Sequence, residues 1–271
     1  KWPFLATVAL RIMFIGLANY MNDESNLTLT YTGLALLLLV VYGWFSYVVN
    51  ESEGGLYDAQ VDMSFRWGMA WFIFSEVMFF AAFFGALYYA RELSLPWLAG
   101  EGTKVSTNQE LWPTFENVWP SNGPANVGGE FIVMKAAGIP ALNTIILLIS
   151  GLTVTWAHHG LKEGKRNQLI LGLTATVLLG FIFVGFQAYE YSHAYNDLNL
   201  KMTSGMYGST FYMLTGFHGF HVTLGAIMLT VILFRCIKGH FTNENHFGFE
   251  AVAWYWHFVD VVWLGLFVFV Y

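Results

Sequence analysis

Long apolar stretches alternate with short polar breaks along the chain. Each stretch is about as long as the 20 or so residues that a helix needs to cross the hydrocarbon core of a bilayer. The predicted spans are residues 3–20, 29–49, 66–91, 140–159, 168–192, 207–235 and 250–271. The pattern predicts an all-α, polytopic membrane protein with seven transmembrane helices in a single membrane domain, 1–271. Helices 1–2 occupy about 3–49, and helices 3–7 about 66–271.

Polar residues mark the breaks between these spans. Asn22, Asp23 and Glu24 separate the first two. The longest break, an outer loop over about 92–139, is rich in proline and glycine. It also holds three tryptophans, Trp97, Trp112 and Trp119. Loops of this length are usually functional or disordered, and the tryptophans argue against disorder. We expect this loop to contact either a partner subunit or the lipid interface.

Composition supports a membrane location. The chain is 56% hydrophobic and 11% charged, whereas soluble domains carry about 25% charged residues. Cys236 is the single cysteine, which excludes an intramolecular disulfide and a copper centre built on two thiolates. There is no basic stripe, so nucleic acid is not expected as a partner.

The distribution of positive charges predicts the orientation. Seven Lys and Arg residues fall on the N-terminal side of the predicted spans and four on the other side, with Arg11 left out because it lies within the first span. Positive charges favour the cytoplasmic side. The bias therefore predicts a cytoplasmic N-terminus, and the odd number of spans puts the C-terminus on the opposite side.

Glu76 is the most conspicuous polar residue within a span. It lies in the middle of WFIFSEVMFFAAFF, with no other charged residue within nine positions. An ionisable side chain in hydrocarbon costs roughly 2.5–3.5 kcal/mol on insertion scales, which makes it a functional candidate. One interpretation is a proton-linked or lipid-contacting carboxyl. The other is a protonated acid that hydrogen-bonds to a neighbouring helix.

Arg11 poses a second problem, because arginine cannot lose its proton. It must reach the interface, pair with an acid, or contact a lipid phosphate or another subunit. A displaced or tilted first helix would also relieve the difficulty.

Two pairs of polar residues share a helical spacing of three. They are His218 with His221, and His257 with Asp260. Such pairs can bind metal but supply only two ligands, so further ligands would have to come from elsewhere, with Glu190, His193 and Glu250 as candidates. We favour hydrogen bonding between helices, a structural polar network without metal.

Several strings resemble subunit III of aa3-type haem–copper cytochrome c oxidases. Their order along the chain and their placement on spans three to seven also match, and the resemblance covers about residues 30–271. The strings are FRWGMAWFIFSEVMFF from Phe65, PALNT from Pro140, TWAHHGLKEG from Thr155, YGSTFYMLTGFHGFHV from Tyr207 and HFGFEAVAWYWHFVDVVWL from His246.

The resemblance implies a subunit with no catalytic residue and no redox centre of its own, active only as part of a proton-pumping oxidase in aerobic electron transport. Haem a and copper would lie in partner subunits, with subunit I as the main contact and subunit II as a second partner. The expected role is to stabilise the catalytic core, bind phospholipid, and support proton uptake and oxygen access. Helices 1–2 would be splayed from helices 3–7 by a lipid-filled cleft.

The resemblance also assigns roles to individual residues. The membrane carboxyl of the family motif SEVxFF, a target of carbodiimides near the cleft, corresponds to Glu76. Lipid-phosphate contacts correspond to Arg235, Lys238 and His240, and more weakly to Arg66. The expanded loop after the third span resembles bacterial members, which implies a bacterial inner membrane with a periplasmic C-terminus. Arg11 departs from the family's first helix.

Alternative functions remain open from the sequence. A related quinol oxidase has a similar subunit III. An independent proton-coupled transporter would use Glu76 and Asp260, although no broken helix or repeat supports it. A haem-binding, quinol-linked protein would use His218, His221 and His257.

Overall fold

A computed structural model describes residues 1–22 and 26–271, so Asp23 and Glu24, predicted to separate the first two spans, lie outside the described residues. Within the described ranges, all regular secondary structure is helical. Seven of these helices are long and apolar enough to cross a membrane. The predicted all-α fold with seven spans is therefore confirmed.

The long helices extend beyond the predicted spans at most of their ends, because a helix continues into the polar interface as long as its backbone hydrogen bonds do. The third helix begins seven residues before its predicted start, and the last ends two residues before the predicted end. The long helices are α1 Trp2–Met21, α2 Thr28–Glu53, α3 Ala59–Tyr88, α6 Ile139–Lys162, α7 Arg166–Asn196, α8 Gly205–Lys238 and α9 Phe247–Phe269; between α3 and α6 lie the short α4 Leu95–Leu98 and α5 Val105–Leu111.

Backbone hydrogen bonds fix the connection between α3 and α6 to a later part of the chain. A π-helical turn over Tyr89–Ser94 continues α3 into α4. Farther along, the amide of Ile132 donates to the Leu198 carbonyl at 2.9 Å, and the amide of Tyr207 donates to the Ser121 carbonyl at 3.0 Å. These bonds attach the loop predicted at 92–139 to Leu198, in the segment that joins α7 to α8, and to the first turn of α8. Contact of its tryptophans with a partner stays a prediction.

Two compact units divide the chain, Lys1–Phe65 and Arg66–Tyr271. In the first unit, α1 and α2 pack at glycines. A Cβ added at Gly33 would lie 2.3 Å from the Met13 nitrogen, and one at Gly16 would lie 2.4 Å from the Thr30 nitrogen. Small residues let the two helix backbones approach this closely, and the resulting van der Waals contact stabilises the pairing of membrane helices. The single membrane domain over 1–271 stays a prediction.

The second unit is built on the bundle of α6, α7, α8 and α9. α6 packs on α7 and α9, and α8 also packs on α7 and α9. Trp256 is fully buried, and a Cβ at Gly180 or Gly225 would come within 3 Å of its ring. Its indole nitrogen donates to Ser150 Oγ at 2.9 Å. The interior around Trp256 is therefore close-packed, and the indole N–H has a hydrogen-bond partner, as hydrocarbon surroundings require.

Candidate functional site

Glu76 on α3 meets His221 on α8. His221 Nε2 lies 2.9 Å from Glu76 Oε2, and the side chains are 21% and 9% exposed for Glu76 and His221. The other imidazole nitrogen, Nδ1, lies 2.6 Å from the Phe217 carbonyl oxygen. The ring of Phe80 packs edge-on at 5.0 Å from the imidazole. The carboxyl therefore has a hydrogen-bond partner on a neighbouring helix inside an aromatic environment.

His257 and Asp260 form a second pair, on α9. His257 Nδ1 lies 3.4 Å from Asp260 Oδ2, and its Nε2 lies 3.2 Å from Thr155 Oγ1 on α6. Asp260 is buried. A Cβ at Gly151 would lie 2.5 Å from Asp260 Oδ2, so glycine is needed where α6 passes this carboxyl.

His218 is fully buried. Its Nε2 lies 3.1 Å from the Val259 carbonyl oxygen, so this nitrogen carries the hydrogen. The ring packs between Phe183 and Trp263, with centroid distances of 5.8 Å and 5.0 Å. These contacts link α8 to α9 and α7. Its predicted partner His221 turns instead to α3, so the two histidines of the spacing bond to different elements. The structural role of the network stays a prediction.

Arg66, predicted as a weak lipid-binding candidate, and Glu250, predicted as a possible metal ligand, lie together in a third polar cluster. Its guanidinium lies 2.5 Å from Glu250 Oε2. On the other oxygen, Glu250 Oε1 lies 3.5 Å from His158 Nε2 and 3.4 Å from His246 Nε2. The donor atoms of His158, His246 and Glu250 lie within 4.8 Å of one another, close enough to hold a metal ion. The arginine already neutralises the carboxylate of this group.

Sequence reasoning did not single out His246 and placed His158 only at the end of a span. The available signal was the spacing of four between His246 and Glu250, which puts both on one face of α9. Nor did the predicted partners Glu190 and His193 join the histidine pairs. Glu190 accepts from the Tyr271 hydroxyl at 2.5 Å, and His193 Nδ1 lies 2.6 Å from Asp197.

Basic residues collect where α8 ends and α7 begins. Arg166 donates to the Ile237 carbonyl at 2.6 Å, and the Arg235 guanidinium lies 4.3 Å from the Phe241 ring centroid. The predicted lipid residues Lys238 and His240 flank Gly239, which ends α8 with a left-handed φ of 79°. Nearby, Lys165 lies 2.6 Å from Glu163 and lowers the pKa of that carboxyl by hydrogen bonding and charge.

Arg11 is exposed on α1. No ion pair links it to an acid within residues 1–22 and 26–271. Of the arrangements that could accommodate a charged Arg11 in the membrane, pairing with an acid on the described part of the chain is therefore excluded.

Comparison with known proteins decides the family. A sequence model of cytochrome c oxidase subunit III matches residues 1–102 and 108–271. The chain belongs to the cytochrome c oxidase subunit III family. Curated relatives named cytochrome c oxidase subunit 3 include those of the fishes Squalus acanthias, 44% identical, and Tetraodon nigroviridis, 43% identical. Each match spans the whole of this chain and 93% of the relative.

Family membership confirms the predicted function. The chain is a non-catalytic subunit of cytochrome c oxidase, and it takes part in the enzyme's activity through the complex. It is a multi-pass membrane protein whose family implies other subunits as partners. The family is consistent with the prediction that the redox centres lie outside this chain. Neither the quinol-oxidase nor the transporter alternative gains support.

Proposed function

We propose that this subunit supports proton uptake by its oxidase through the pair of Glu76 and His221. The observation that carries the proposal is the 2.9 Å contact between the carboxylate oxygen of Glu76 and Nε2 of His221. The two residues lie on α3 and α8, well inside both helices. A charge there is expensive unless it is paired.

The hydrogen bond at His221 Nδ1 determines how many protons Glu76 and His221 hold between them. The Phe217 carbonyl can only accept, so His221 Nδ1 carries a hydrogen. Nε2 then either accepts a hydrogen from a protonated Glu76 or donates one to the carboxylate. In both arrangements a single proton lies between the residues and their net charge is zero. Gaining or losing one more proton would charge the pair, which couples it to nearby proton movement.

The basic end of α8 is the second element of the proposal. Arg235, Lys238 and His240 lie at the end of α8, where Arg166 at the start of α7 donates to the Ile237 carbonyl. Arginine and lysine at helix ends are suited to anionic phospholipid headgroups. Arg66 remains the weaker candidate, since its guanidinium is bonded to Glu250. Phospholipid held there would help to stabilise the catalytic core and keep a lipid route for oxygen.

The remaining assignments concern partners and location. We infer that subunit I, with haem a and copper, is the main partner and that subunit II is the second. The expanded loop after α3 supports a bacterial inner membrane, although the relatives cited are vertebrate proteins. The excess of positive charge on the N-terminal side supports a cytoplasmic N-terminus and a periplasmic C-terminus.

The test uses the purified oxidase with Glu76→Gln in this subunit and Glu92→Gln as the control, because Glu92 is half exposed and its ion-pair partner within residues 1–22 and 26–271 is the similarly exposed Arg91. We expect both complexes to assemble with full haem content. The rate of proton uptake should fall up to a few-fold in Glu76→Gln alone, and the infrared band of a protonated carboxyl or its exchange behaviour should change. Failure of Glu76→Gln to assemble would instead make the residue a structural hydrogen-bond node. Unchanged proton uptake would refute the proposed role.

A further inference from the structure

Two imidazoles and a carboxylate converge where α6 ends and α9 begins. His158 lies near the end of α6, His246 immediately precedes α9, and Glu250 lies in the first turn of α9. Glu250 Oε1 lies 3.5 Å from His158 Nε2 and 3.4 Å from His246 Nε2. Both Nε2 atoms are buried and have no hydrogen-bond partner among residues 1–22 and 26–271. The proton-linked pair on α3 and α8 makes no use of this cluster.

The surroundings of His246 determine which of its nitrogens carries the hydrogen. Nδ1 lies 3.1 Å from the Thr242 carbonyl oxygen, which can only accept, so the hydrogen is on Nδ1. In the neutral ring Nε2 then presents a lone pair near the Glu250 oxygen, which is also an acceptor. A charged imidazole would instead donate to the carboxylate at about 2.7–2.9 Å. The longer distances at both histidines therefore indicate acceptors that share no hydrogen.

Arg66 explains why the histidines need not be charged. Its guanidinium binds the second carboxylate oxygen of Glu250, Oε2, at 2.5 Å. That bond supplies the cation that the buried carboxylate requires and fixes its orientation, with Oε1 left to face the two rings. Carboxylates that bind metals are commonly hydrogen-bonded in this way through their second oxygen.

We propose that His158, His246 and Glu250 bind a zinc-like divalent ion, at a position called here the α6–α9 metal site. The ligands are the two Nε2 atoms and Glu250 Oε1, and water takes the fourth position of a tetrahedron. Ligands at 2.0–2.2 Å from a tetrahedral ion are separated by about 3.3–3.6 Å, which matches the 3.4 and 3.5 Å distances. All three donor atoms lie within 4.8 Å of one another.

The neighbouring groups hold the ligands in place. The ring of His158 stacks on Phe249 at a centroid distance of 5.3 Å, and Phe249 is itself buried. The bond from His246 Nδ1 to a backbone carbonyl is the outer contact that metal-binding histidines usually make. The side chains of His158 and Glu250 are 20% and 12% exposed. An ion can therefore enter at the helix ends without crossing hydrocarbon.

The donor set selects among divalent ions. Two imidazoles and one carboxylate suit Zn²⁺ and Cu²⁺, whereas Mg²⁺ and Ca²⁺ prefer oxygen ligands throughout. The positive charge of Arg66 further disfavours ions held by charge alone. Zinc has no redox chemistry, so the site agrees with a non-catalytic subunit. Its physical effect is to clamp α6 to α9.

The first experiment measures zinc binding to the purified oxidase. The complex is stripped with a chelator and dialysed against buffered free Zn²⁺ and excess Mg²⁺, and its zinc content is determined by mass spectrometry. His246→Ala is compared with His159→Ala, which removes an exposed histidine next to His158. We expect His246→Ala to lose one zinc per complex, with affinity at that site lowered about 100-fold or more, and His159→Ala to match the wild type. Equal zinc content in the wild type and an assembled His246→Ala complex would overturn the proposal.

The second experiment does not depend on a variant that assembles. Crystals of the wild-type oxidase are grown with Zn²⁺, and anomalous scattering is recorded on both sides of the zinc absorption edge. We expect a peak about 2.0–2.2 Å from both Nε2 atoms and from Glu250 Oε1. Absence of that peak would overturn the proposal. A peak at one imidazole only would also overturn it, because it would mark an adventitious ion.

Discussion

The helices of the first unit and those of the bundle use apolar residues in different ways. In their most apolar stretches, α1 and α2 bury 11% and 6% of residues inside the chain, whereas α6 to α9 bury 39–50%. Apolar length does not anticipate this difference, since α1 and α9 are of similar length, 20 and 23 residues, yet their spans are 11% and 50% buried.

The reason lies in what each surface must satisfy. A helix surrounded by lipid must be apolar on every side, because no neighbour can pair a polar group. A helix inside a bundle can carry polar and aromatic side chains wherever an adjacent helix offers a partner. α9 does so at Trp256 and Trp263, whose indole nitrogens donate to Ser150 and Thr144 on α6, while α1 and α2 approach each other closely at Gly16 and Gly33.

The largest expected effect comes from the centre of the bundle. Trp256→Ala should lower stability by about 3–5 kcal/mol, because it leaves a large cavity among α6, α7 and α8. It also removes the bond to Ser150. Thermal unfolding of the subunit in detergent measures the loss. Trp254→Ala, two residues away and 36% exposed, is the matched control and should cost far less. Equal losses would show that burial in α9 does not contribute to stability as described.

A moderate effect is expected in the first unit. Gly33→Val would force side-chain atoms into the backbone of Met13, and overpacking of this kind costs about 1–3 kcal/mol. A disulfide cross-linking assay between cysteines placed in α1 and α2 would report their separation. Gly85→Val on α3 is the control, because nothing lies within 4 Å of a Cβ at that position. Unchanged cross-linking in Gly33→Val would mean that the pair does not depend on close approach.

The smallest effects concern ion pairs at helix ends. Arg66→Gln removes the partner of Glu250, which is only 12% exposed, and should cost about 1–2 kcal/mol. Arg91→Gln breaks a pair whose side chains are both about half exposed, and should cost about 0–1 kcal/mol. Thermal unfolding of both variants under one condition provides the comparison. If Arg91→Gln cost as much as Arg66→Gln, burial would not be what strengthens the inner pair.

Some features could be predicted from the pattern of residues alone. Stretches of apolar residues located all seven spans, because the hydrocarbon thickness imposes a minimum length on each. Their ends were less predictable. α3 begins at Ala59 rather than at residue 66, since a helix can include a charged residue such as Asp62 once it has left the hydrocarbon.

Local spacing was a weaker guide to the polar contacts. His257 and Asp260, which are spaced by three on one helix, lie 3.4 Å apart between Nδ1 and Oδ2. The same spacing suggested that His218 and His221 act as a pair. In the structure they contact different helices, His218 at Val259 on α9 and His221 at Glu76 on α3. Contacts between residues 145 positions apart in sequence depend on how helices pack, and short-range spacing carries no information about that.

Contiguous residues were sufficient to predict a seven-helix membrane protein with the motifs of cytochrome c oxidase subunit III. Both predictions follow from local properties, namely the length of the apolar stretches and the short sequence strings. The contact of Glu76 with His221, and the sharing of Glu250 by Arg66 and two histidines, could be found in the folded molecule alone. These arrangements arise because packing brings distant helices together and because each polar group within hydrocarbon must find a partner wherever that packing supplies one.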